Sequence, residues 1–164
     1  GLEERLEKFI ASHKGTSAAI LGEMALMQRY FDKDDKAKAE AAASRFLAAH
    51  PDHFFSAQVR MDYGALLEWA GKPAEAAALY EKVLRSERDY LHAEARLGIA
   101  RCLEMAGKPE EAKAKYQEII ASRNDNRSVT QRVLSMASFR LMALREGNLG
   151  VAPGTIGAAG NTGK

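Results

Sequence analysis

The chain has 164 residues, 24 basic and 22 acidic side chains, a net charge of +2 and one cysteine. That length fits one domain with a continuous core needing neither metal nor disulfide, the lone Cys102 excludes an internal disulfide, and no apolar run approaches the ~20 residues of a membrane helix. Residues 1–126 hold 19 of the bases and 21 of the acids, leaving five and one for residues 127–164, so the weakly basic end excludes a strong nucleic-acid footprint.

Strong helix formers (Ala, Leu, Glu, Lys, Arg, Met) dominate from Leu2 to Arg145, and no run alternates Val, Ile, Thr and aromatics, so the fold class is all-α. In chain order the predicted helices cover residues 2–13, 16–32, 35–49, 54–70, 73–86, 90–106, 109–121 and 127–146. The chain opens at Gly1 without Met and enters helix at once, which reads as a trimmed start with any targeting or anchoring segment upstream. The Gly-rich stretch 147–164 reads as a flexible tail.

A repeat of 36 residues organises the middle of the chain. Glu68–Pro73 reads E-W-A-G-K-P and Glu104–Pro109 reads E-M-A-G-K-P, with Ala76 and Tyr80 falling on Ala112 and Tyr116. Arg60, Arg96 and Arg132 keep the same step, whereas the upstream copy at Met24, Met27 and Tyr30 is shifted by one. Gly71 and Gly107 suit the left-handed residue just past a helix, and Pro73 and Pro109 suit the first turn of the next. Each unit is therefore two antiparallel helices joined by a tight turn. Ala and Gly at the crossings let backbones approach, with Tyr80, Tyr116, Leu79 and Ile119 filling the remaining space.

These residues resemble the tetratricopeptide repeat (TPR) family. The order of a small residue, Gly, Ala and an aromatic is met by Gly64, Gly71, Ala76 and Tyr80, and again by Ala100, Gly107, Ala112 and Tyr116. The leading Trp of the family is replaced by Arg60 and Arg96, Ala43 replaces the aromatic of the first copy, and the unit is longer than the usual ~34 residues. The resemblance implies a right-handed superhelical solenoid of about eight helices over residues 1–146. It comprises a partial repeat at 1–13, repeats near 16–51, 54–88 and 90–124, and a capping helix at 127–146.

The same resemblance implies a concave groove lined by the first helix of each pair. Its candidate partner-binding residues are Met24, Gln28, Met61, Ala65, Leu97, Arg101 and Val133, with Ala137 at the corresponding place in the last helix and Glu68 and Glu104 at the edges. Family members that grip a chaperone's C-terminal carboxylate carry Lys and Asn at such places, and this chain does not. A mostly apolar, Met-containing stripe suits an amphipathic helix or an extended apolar segment. The alternatives are that the last helix or the tail covers the stripe, or that it is ordinary core.

Catalytic and metal chemistry find little support. His50 and His53 share a turn but lack helical spacing, His13 and His92 are distant, and one cysteine adds little toward a tetrahedral zinc site. Cys102 is expected as a buried structural thiol. Asp34/Asp35 and Glu110/Glu111 begin helices, where capping and the helix dipole account for them. No nucleophile elbow, phosphate loop or zinc-protease motif occurs. The Arg60/Arg96/Arg132 series is either a ladder for acidic partners or a set of pairs with neighbouring helices, and Arg127, Arg132, Arg140 and Arg145 give the last helix a basic character.

The expected function is a non-enzymatic scaffold for other proteins or peptides, with no cofactor and no nucleic acid; a homo-oligomerising structural module is the alternative. Residues 5–16 (R-L-E-K-F-I-A-S-H-K-G-T) and 45–52 (R-F-L-A-A-H-P-D) are similar to bacterial cell-envelope TPR proteins that are membrane-anchored and associated with the secretion translocon. That likeness implies a periplasmic domain tethered to the inner membrane by an upstream anchor, with a cytoplasmic location as the alternative.

Overall fold

The structure is a computed structural model, and it describes residues 1–124 and 128–147. Eight α-helices follow one another: α1 (Leu2–Ser12), α2 (Ser17–Asp32), α3 (Lys36–Ala49), α4 (Ser56–Trp69), α5 (Pro73–Leu84), α6 (His92–Met105), α7 (Pro109–Ala121) and α8 (Gln131–Arg145). Among the described residues there is no strand, and the fold is the expected all-α, TPR-like helical repeat. None of these helices is long and apolar enough to cross a membrane. The chain divides into two compact units, Gly1–Tyr63 and Gly64–Lys164, with the division falling inside α4. The tail expected to be flexible lies, beyond Gly147, outside the described residues.

Helix boundaries follow local chemistry. Thr16, Asp35 and Thr130 each accept a hydrogen bond from the backbone N–H three residues on, at 3.2, 3.2 and 3.3 Å, and so cap α2, α3 and α8. The Thr130 cap starts α8 at Gln131, four residues later than the composition suggested, because its extended backbone (φ −77°, ψ 162°) cannot belong to the helix. Before α6 the predicted helical start becomes a separate 3-10 turn, Asp89–Leu91.

The second unit shows the repeat plainly. Past α4, Gly71 (φ +73°) donates to the Glu68 carbonyl at 3.0 Å and Lys72 donates to that of Leu67 at 2.8 Å. Past α6, Gly107 (φ +71°) and Lys108 donate to Glu104 and Leu103, both at 2.9 Å. These bonds satisfy the orphan carbonyls of each helix end, and the left-handed backbone suits a residue without Cβ. Pro73 and Pro109 then open α5 and α7, where the missing N–H costs nothing.

Packing in this unit rests on tyrosines set against bare backbone. A Cβ built on Gly64 of α4 would lie 2.6 Å from the Tyr80 ring, and one on Gly98 of α6 would lie 2.5 Å from its other edge. The ring thus fills the space two absent side chains leave. Beyond it, Ala93, Leu97, Ala100, Ala112, Tyr116, Ile119, Val133, Ala137, Leu141 and Leu144 form one core shared by α6, α7 and α8.

In the first unit α1 and α3 each pack on α2. Leu26, Met27, Tyr30, Ala39, Ala43 and Phe46 are among its buried apolar residues, while α1 buries none of its side chains fully. Its turn between α2 and α3 uses Asp34 in the left-handed region (φ +55°), with Asp34 and Asp35 donating to the Phe31 and Tyr30 carbonyls at 2.9 Å. This is the same turn as at Gly71 and Gly107, built with a side chain present.

Candidate functional site

Candidate groove positions fall in both units, and burial sorts them. In the first unit Met24 and Met61 are half-buried, and Gln28 is exposed with its amide donating to Asp32 at 2.9 Å. In the second unit Ala65 is exposed. Leu97 and Val133 are not groove lining: they are 1% and 0% exposed in the core formed by α6, α7 and α8. The reason is that α7 and α8 enclose this side of α6, so the ordinary-core alternative holds at these two positions. Ala137 of α8 is in that core as well.

Glu68, Arg101 and Glu104 are committed to a polar network that repeats. Arg101 on α6 donates to both oxygens of Glu68 on α4, Nε to Oε2 and an Nη to Oε1, each at 2.7 Å. The Tyr80 hydroxyl on α5 donates to Oε1 of the same carboxylate at 2.5 Å. One repeat later the Tyr116 hydroxyl on α7 donates to Glu104 on α6. Arg140 on α8 donates to Glu104 through Nε at 3.0 Å and Nη at 2.5 Å. Each triad ties three successive helices, and each carboxylate side chain is only 7% exposed.

The triads set the electrostatics. Burial pushes both tyrosine hydroxyls far above their ordinary range, and the adjacent carboxylates push in the same direction. The guanidiniums of Arg101 and Arg140 oppose burial by pairing, so both stay firmly charged. A fully paired buried carboxylate specifies geometry rather than offering a free hand to a ligand. Arg140 is therefore not part of a basic surface on α8. Arg127 lies outside the described residues.

The arginine series divides. Arg132 pairs with Glu94 of α6, Arg60 donates to the Pro51 carbonyl at 2.5 Å, and Arg96 makes no hydrogen bond or salt bridge among the described residues. Cys102 is buried, and its thiol is pushed up to about 12 by desolvation and then by the Glu68 charge. Among the described residues no three of His, Cys, Asp and Glu are grouped to hold a metal. His50 lies 3.2 Å from the Glu23 carboxylate, and the His53 ring accepts from the Phe55 N–H at 3.3 Å. Asp35 caps α3, and Glu110 and Glu111 stand in the first turn of α7.

Sequence reading treated Tyr80 and Tyr116 as space fillers and missed their hydroxyls. The available signal was the constant 12-residue step from Glu68 to Tyr80 and from Glu104 to Tyr116.

Residues 67–134, running from the end of α4 into α8, match the family model described as tetratricopeptide repeat. The match spans less than half of the chain and supports a tetratricopeptide-repeat assignment. No curated protein and no solved structure matches the chain. Such repeats generally mediate protein–protein interaction and are typically non-enzymatic modules.

Proposed function

We propose that the chain is a non-enzymatic scaffold that recruits a helical or extended apolar segment of another protein. The observation that carries this reading is the tandem-repeat match over residues 67–134. Met24, Gln28 and Met61 in the first unit and Ala65 in the second remain the positions open to a partner. Methionine suits such a role because its unbranched, polarisable side chain adapts to different surfaces. The proposed setting is envelope assembly or secretion, in the periplasm and tethered to the bacterial inner membrane. It rests on the likeness of residues 5–16 and 45–52 to envelope proteins of that kind.

The test is affinity capture from membrane and soluble fractions, comparing wild type with Met24→Glu/Gln28→Lys and, separately, Ala65→Arg. All three are first matched for helicity and melting. Partners captured by wild type and lost with either variant support the reading, and their compartment tests the proposed location. Identical partner lists from folded variants refute it. Leu97 is unsuitable for substitution, because its loss breaks the core.

A second reading, self-assembly, is favoured by the apolar side chains left uncovered on α1 and α8. Leu2 and Phe9 of α1 and Phe139 and Met142 of α8 are all exposed. Sedimentation across a wide concentration range distinguishes the two, because self-assembly requires mass to rise with concentration and recruitment of another protein does not.

A further inference from the structure

The first unit holds a cleft of about 390 Å³ that the proposed function does not use. Leu26 of α2 and Ile10 of α1 give it an apolar floor, and Glu7, Lys14, Glu23 and Arg45 bring charge of both signs to it. Its volume is at the low end of small-ligand sites, which run roughly 300–1,000 Å³.

The charges around it are incompletely matched by the protein. Among the described residues neither Lys14 nor Arg45 makes a hydrogen bond or salt bridge. Oε2 of Glu23 is enclosed and receives no hydrogen bond; His50 Nε2 lies 3.2 Å away without the geometry of one. Glu7 takes the Tyr30 hydroxyl on Oε1 at 3.2 Å. Native proteins rarely leave an enclosed carboxylate oxygen without a donor. The cleft therefore presents the carboxylates of Glu7 and Glu23, the latter 3.2 Å from His50, and two exposed cationic side chains without a partner among the described residues, beside an apolar floor.

We propose that this cleft binds a small zwitterion of amino-acid to dipeptide size with an apolar side chain. The ligand's ammonium is received by Glu23 and Glu7, its carboxylate by Lys14 and Arg45, and its side chain by Ile10 and Leu26. A simple anion would meet two carboxylates there, and a simple cation would meet two bases. Only a ligand carrying both charges satisfies both sets, because charge-assisted hydrogen bonds are the strong ones.

The test titrates the full chain with the dipeptide Leu-Ala, and with its N-acetylated and C-amidated forms, following backbone amide resonances. Saturable shifts confined to α1, α2, α3 and the turn at Lys14, weakened about tenfold or more when either end is blocked, are expected. Glu23→Gln and Arg45→Gln, each checked for unchanged helicity, should weaken Leu-Ala binding about tenfold. The proposal is overturned by no saturable shift up to about 10 mM. Equal binding of the blocked peptides, or binding indifferent to both substitutions, overturns it too.

Discussion

The two units solve the same problem, a tyrosine meeting a glutamate from another helix, with different degrees of commitment. In the first unit Tyr30 donates to Glu7 at 3.2 Å and Tyr63 to Glu40 at 3.4 Å, each across 23 residues and each partly open to water. In the second unit the tyrosine lies only 12 residues from its glutamate, the pair is enclosed, and an arginine from the next helix completes it. The turns differ in the same sense. Gly71 and Gly107 adopt the left-handed backbone without penalty, while Asp34 adopts it at a cost. Where the 36-residue repeat is regular, glutamate and tyrosine recur together and are buried with an arginine from the next helix. Where the repeat slips by one, the pairs stay near solvent.

Substitutions sharpen this contrast. The largest effect is expected from Arg101→Ala or Arg140→Ala, which leaves an enclosed carboxylate without its cation and should cost about 3–5 kcal/mol. The first-unit counterpart, Arg29→Ala, removes a pair with Glu3 whose arginine is 40% exposed, and should cost less than ~1 kcal/mol. Denaturant unfolding measures both, with hydrogen exchange assigning the loss to a unit. Equal costs would mean that the triads stabilise no more than surface pairs do.

Next is Gly98→Ala, whose added methyl would lie 2.5 Å from the Tyr80 ring and should destabilise by roughly 1–3 kcal/mol. Gly22→Ala brings a methyl to 2.9 Å from Ile10, on a helix that buries nothing fully. That side chain can move, so the gain in helix propensity should leave the net change within about 1 kcal/mol of zero. A large loss for Gly22→Ala in thermal melts would show α1 to be held as firmly as α5.

Alkaline titration gives a graded effect, set by how far the pH is raised. Tyr80 and Tyr116 have raised folded-state values, so their contribution is complete below the unfolded tyrosine range and is lost as pH rises above about 10. The expected slope is about 1.4 kcal/mol per pH unit for each tyrosine, and Tyr80→Phe/Tyr116→Phe should flatten it. Stability measured between neutral and strongly alkaline pH checks the sign; an unchanged slope in the double variant would assign the loss elsewhere. The smallest expected change is Asp34→Gly, which relieves a left-handed residue but frees the unfolded chain, for a net gain of roughly 0–1 kcal/mol. Gly71→Asp should lose about as much.

Most of the helix order was readable because its signals are local. The repeated G-K-P placed the ends of α4 and α6 and the starts of α5 and α7. The triads were hidden because their third member breaks the period. Glu68 and Tyr80 recur 36 residues on, but Arg101 and Arg140 are 39 apart, so the second arginine approaches from the next turn of its helix. Leu97 and Val133 were assigned to the groove because family position alone cannot say which flank of a helix its neighbours cover. In the candidate cleft, residues from three helices and the turn at Lys14 converge with no common spacing.

Cys102 carries a consequence for watching this protein move. It is the chain's single thiol, enclosed in α6 beside the Glu68 and Arg101 charges and held up to about 12. Released into water it would return toward ~8.5 and react. At mildly alkaline pH a thiol reagent therefore records only those moments when α6 parts from its neighbours. The native chain carries a clock for the breathing of its own second unit, already installed and needing no engineered label.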